Sequence, residues 1–203
     1  MGMKLVGRLA GVVLLGLSLA GCIDAKVDIA VTSPTTAKAV MTQVMSADFY
    51  AMVKLNAQQA GPDAPTADDE FCAKGALSEN PDGSATCVVT EEGPFADLNL
   101  GTDQKSVTFA SAGPGLVRVA LPTADMKREI GADEAMDAET QKMVEAFFTG
   151  HAITLRFSGL EVTDTNMTLS ADRTAAEQII PFIDLINGTT ALPDELYAVV
   201  RVP

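Results

Sequence analysis

Three cysteines, one histidine and 27 Asp+Glu are the side chains of this 203-residue chain with the clearest capacity for chemistry. A catalytic triad or Cys–His pair would have to recruit His151, yet there is no Gly-x-Ser-x-Gly elbow to present a serine to it. One imidazole is too few for a histidine-based zinc or iron site, so no metal and no cofactor is implied. Asp68-Asp69-Glu70 and the trio Asp133, Glu134 and Asp137 lack the alternating ligand spacing of a calcium loop. A glycosidase pair built from them would lack stacking platforms, because the chain has no Trp and 2 Tyr. Neither glycine-rich phosphate motif occurs. The expectation is a protein that is not an enzyme.

The cysteines carry more. Residues 1 to 22 read MGMKLVGRLAGVVLLGLSLAGC: basic Lys4 and Arg8, an apolar run from Leu9 to Ala20, then Leu-Ala-Gly-Cys. The run falls well short of the roughly 20 residues that span a bilayer, as in an export signal. Its ending resembles the bacterial lipobox, which implies cleavage before Cys22 and acyl chains on that cysteine. The competing readings are an ordinary signal cut at an Ala-x-Ala-like site and a short buried helix. On the lipobox reading, residues 1–21 are a signal peptide and 22–203 a lipid-anchored domain in the bacterial cell envelope. Ile23, where an Asp would retain an inner-membrane lipoprotein, favours the outer membrane facing the periplasm if the source has two membranes.

Cys72 and Cys87 remain, in a compartment that tolerates disulfides. Between them Asn80-Pro81-Asp82-Gly83 has tight-turn chemistry, so the expectation is a hairpin closed by a Cys72–Cys87 bridge. Two free buried thiols and a metal pair are the alternatives, the latter short of two ligands for a tetrahedron.

Charge and composition narrow the partners. With 14 Lys+Arg the formal net charge is -13, and it is two units more negative once Lys4 and Arg8 are cut away. Nucleic acid and bare anionic lipid surfaces would be repelled, and aromatics at 5% offer little for base stacking.

The elements that would position these groups follow from periodicity. Ile23, Ala25, Val27, Ile29 and Val31 alternate with polar residues, as does Ala37 to Met45 more weakly after the Thr32 to Thr36 turn, which predicts a hairpin. Ser46 can cap a helix over Ala47 to Gln59 with Phe49, Met52 and Val53 as its stripe. Residues 61–70, GPDAPTADDE, form a loop or lobe boundary. Gly113-Pro114-Gly115 separates Val107 and Phe109 from Val117, Val119 and Leu121, a second ribbon. A second helix is expected over Ala138 to Thr149, with Met143, Val144 and Phe147 apolar. Ile153, Leu155 and Phe157 then alternate, and Leu196, Ala198, Val200 and Val202 make a closing strand. The sum is an α+β fold: a curved antiparallel sheet of several hairpins packed with two main helices.

The stretch from Thr154 to Ile183, with LRFSGLEVTDTNMTLSADRTAAEQIIPFI at its centre, resembles LppM-like bacterial lipoproteins, as does the order lipidated cysteine, strand, hairpin, helix. The resemblance implies a lipid-anchored domain with an apolar interior associated with envelope lipids, and no binding residue is carried over from it. Nine Met are unusual. Flexible thioethers on the helices could line an adaptable cavity or fill a core. The cavity reading selects Met52, Val53, Met143, Val144 and Phe147. Two functions are left open: a module that binds an apolar ligand or envelope lipid, and an adaptor that docks envelope proteins through an acidic face.

Overall fold

The computed structural model describes residues 22–60, 66, 71–99, 107–123, 139, 142, 145–146 and 148–203. The expected signal segment and most of the 61–70 loop lie outside them. Eleven strands run through the described residues: β1 Cys22–Val31, β2 Thr36–Met45, β3 Ala76–Glu79, β4 Ala85–Pro94, β5 Thr108–Gly113, β6 Leu116–Pro122, β7 Ala152–Ser158, β8 Glu161–Thr165, β9 Thr168–Leu169, β10 Ala175–Pro181 and β11 Glu195–Arg201. Among the described residues two complete helices join them, α1 Ala47–Ala60 and α2 Phe182–Ile186.

The strands form two sheets, one of seven in the order β3-β4-β2-β1-β7-β10-β9 and one of four in the order β5-β6-β11-β8. One continuous apolar core lies between them, with Ile29, Phe157 and Ile180 from the first sheet meeting Val119, Leu196 and Val200 from the second. These positions fall on the alternating faces that the period-two pattern predicts, since successive side chains of a strand point to opposite sides.

The expectation of an α+β fold with two main helices on one antiparallel sheet is therefore corrected. The described residues are mostly strand, and each sheet covers the apolar face of the other, so the core needs no helical layer. The larger sheet is not wholly antiparallel either, because β1 and β7 pair in parallel, Ala25 opposite Ile153 and Ile29 opposite Phe157. Of the helix expected over 138–149, residues 139, 142, 145, 146 and 148 are helical, and the remainder lie outside the described residues.

The hairpins predicted from turn chemistry form. β1 and β2 pair from Cys22–Met45 to Val31–Ala37. At the β3–β4 turn Asn80 N–H donates to the Ser84 carbonyl at 2.7 Å, and Gly83 takes a φ of 86°. The Cys72–Cys87 disulfide closes beside this hairpin with Cα atoms 5.5 Å apart. Cys72 sits in a short helical turn ahead of β3, and Cys87 faces inward from β4 among Val89, Met41 and Leu77. Gly75 makes this approach possible: a Cβ there would lie 2.8 Å from both Cys87 Sγ and the Val88 carbonyl. Replacing both cysteines with Ala is expected to lower stability by about 3 kcal/mol, the chain-entropy value for a loop of this length. Urea unfolding checks it, and unchanged stability would show that the bridge constrains little.

Gly159 has a comparable role where the chain passes from β7 to β8 and so from one sheet to the other. A Cβ there would stand 2.9 Å from the Arg201 carbonyl, which accepts the Leu160 N–H at 2.9 Å.

Candidate functional site

The end of the larger sheet where β1 begins carries Cys22 and His151. Cys22 pairs with Met45, the last residue of β2. β1 lies between β2 and β7 inside the sheet, so the residue expected to carry acyl chains opens an internal strand with no intervening linker.

Asp24 and His151 meet at this end. One Asp24 carboxylate oxygen accepts the Ala152 N–H at 3.1 Å, and the other lies 3.3 Å from His151 Nδ1. The pair fastens the start of β7 to β1, where the parallel register begins. His151 also donates its backbone N–H to the Phe148 carbonyl and accepts from Phe182 N–H at 3.0 Å. The histidine thus stands at a strand start and ties three segments together.

Apolar residues crowd the same end. α2 buries Phe182 and Leu185, and the Phe148 ring packs tilted on Phe182 with centroids 5.6 Å apart. Phe148 is half-buried against the main core. Among the five residues expected to line a cavity, Met143, Val144 and Phe147 lie outside the described residues, immediately ahead of Phe148 in the chain.

The other two, Met52 and Val53, are on α1. The Ser46 cap forms, with Phe49 N–H donating to Ser46 Oγ at 3.4 Å. Val53 is partly buried in a satellite cluster with Met45, Tyr50 and Ala85. Met52 does not join it: the side chain is 49% exposed, a correction to its place in the expected inward stripe. Tyr50 is the inward residue, 1% exposed, and it went unnoticed in the sequence because a tyrosine hydroxyl needs a partner before the ring can bury. Here the partner is Glu79, whose Oε1 accepts the hydroxyl at 3.0 Å while Lys54 Nζ lies 4.4 Å over the ring. Glu79 on β3 has no sequence signal that would link it to α1.

A second polar cluster lies on the outer face of the smaller sheet. Arg118 bonds Glu195 with its closest contact at 2.6 Å, and its guanidinium stands 4.4 Å from the Tyr197 ring centroid. Tyr197 O–H donates to Asp164 at 3.2 Å, a bond to the neutral phenol that raises its pKa. In the β9–β10 turn, Asp172 accepts from Ser170 Oγ at 2.6 Å and Thr174 N–H at 3.1 Å, which lowers its carboxyl to about 2. These partners hold strands and turns in register. A shallow groove of about 300 Å³ beside β8 includes Asp164, Met167 and Arg173, and neither Met52 nor Val53 lines it. Among the described residues no group of three or more His, Cys, Asp or Glu could hold a metal ion.

No family model matches the chain. No curated protein matches it either. Among solved structures, the NMR structure of the folded domain of LppM from Mycobacterium tuberculosis aligns with a TM-score of 0.47 and 15% sequence identity, covering 88% of this chain and 89% of that one.

Proposed function

We propose that the protein is a non-enzymatic envelope lipoprotein, anchored by acyl chains on Cys22, that binds an apolar ligand or envelope lipid at the Cys22 end of its sandwich. The observation that carries this reading is the packing of Phe148 on Phe182 at the rim of the main core. It brings the chain segment that follows Met143, Val144 and Phe147 to the end of the sheet where Cys22 opens β1. An acyl ligand taken from the membrane would meet that end first. Ile23 after the cysteine supports placement in an outer membrane facing the periplasm, in a bacterium that has one.

Native mass spectrometry of membrane-extracted protein tests the binding. Bound lipid is expected on the wild type, and Val144→Phe is expected to lose it while keeping the fold, because the larger ring fills space that a guest would occupy. In a close-packed core the same change would cost about 1 to 3 kcal/mol with no ligand to lose. A lipid-free wild type together with a destabilised variant would overturn the binding reading and leave an adaptor for envelope proteins in its place.

A further inference from the structure

We propose that the outward face of α1, centred on Met52 and Leu55, lies in the interface of the same leaflet that holds the acyl chains of Cys22. The inference rests on acylation at Cys22 and adds a second contact between fold and membrane.

Position is the first argument. Cys22 pairs with Met45, and neighbouring strands are about 4.8 Å apart. Ser46 follows Met45 and caps α1 at Ala47, so the helix starts beside the acylated residue. At 1.5 Å per residue, Met52 and Leu55 fall about 8 and 12 Å along the axis from that start. A lipid attached at Cys22 therefore holds α1 within reach of the headgroups.

Exposure is the second. α1 turns Tyr50, Val53 and Ala57 toward Met45, Ala85 and Leu77. The opposite face carries Met52 at 49% and Leu55 at 53% exposure. Only four large apolar side chains are exposed among the described residues, and a third, Leu160, sits where β7 passes to β8 at the far end of the sheet.

Charge is the third. In a chain with net charge -13, the sequence ADFYAMVKLNAQQA has one acid and one base. A neutral helix is not repelled by an anionic leaflet as the acidic remainder is. Asp48 shares the outward face only in the first turn, where unpaired helix N–H groups favour a carboxylate. Two apolar side chains on one face make a shallow contact that adds to the hold of the acyl chains.

The chain has no Trp, so a single introduced one reports its own surroundings. Full-length acylated protein carrying Leu55→Trp, and separately Leu160→Trp, is reconstituted into phosphatidylethanolamine–phosphatidylglycerol vesicles with and without brominated acyl chains. Flotation reports anchoring independently of the fluorescence. The expected result is co-flotation of both variants, a blue-shifted emission at position 55 that brominated lipid quenches, and a water-like emission at 160 that acrylamide quenches. Co-flotation with a water-like emission at 55 would overturn the inference and leave the anchor intact. Shielding at 55 from both quenchers would assign the face to a protein partner and overturn it too. Absence of flotation would remove the anchor and the inference together.

Discussion

Cys22→Ser is expected to abolish membrane attachment, leaving either uncleaved precursor or protein that fractionates with soluble material. On the lipobox reading the effect is large, because attachment would rest on acyl chains in which each buried methylene contributes about 0.8 kcal/mol. A single chain holds a protein only marginally, whereas the two or three that a lipobox implies hold it for good. The contact proposed for α1 adds to this hold and does not replace it, since Met52 and Leu55 are two side chains on one helix. Serine keeps the size of the cysteine but gives the acyl-transfer chemistry no thiolate. Membrane fractionation with intact mass of the amino-terminal peptide measures the outcome. A wild-type protein found wholly soluble, with an amino terminus other than residue 22, would falsify the lipobox reading.

Phe157→Ala is expected to cost about 3 to 5 kcal/mol of stability, the range for deleting a fully buried phenylalanine ring. Phe157 is 0% exposed and stands in β7, paired with Ile29 of β1 on one side and Ala176 of β10 on the other. Ala176 is too small to move into the space left, and the facing sheet is held by its own hydrogen bonds, so the void would stay largely open. A typical domain has only about 5 to 15 kcal/mol in total, which makes this one ring a large fraction of the whole. Urea unfolding should show a lower midpoint with an unchanged slope. Leu160→Ala provides the contrast: at 60% exposure it is expected to shift stability by less than about 0.5 kcal/mol. Equal effects of the two would show that the space between the sheets is not close-packed.

The main strands and the turns between them follow from local residue patterns. Ile153, Leu155 and Phe157, or Leu196, Ala198 and Val200, alternate so regularly that the side facing the core was readable before any partner was known. Turn residues such as Asn80 to Gly83 are equally local, because φ preferences belong to the residue itself. The disulfide belongs in part with these, since the turn between the cysteines folds their segments back on each other.

How the strands divide between two sheets, and why the helices are minor, depends on contacts between segments far apart in the chain. β1 and β7 pair in parallel across more than a hundred residues, and nothing in either strand's periodicity names the other. Long-range pairing depends on the total apolar surface that must be closed, a property of the assembled chain. Gly75 and Gly159 are required by contacts that no local pattern reveals, with Cys87 Sγ and the Val88 carbonyl at one and the Arg201 carbonyl at the other. The same reason governs α1. Phe49, Met52 and Val53 read as its stripe, yet Tyr50 and Val53 pack on Met45 and Ala85. Because a helix can bury only one side against a sheet, Met52 and Leu55 are left outward.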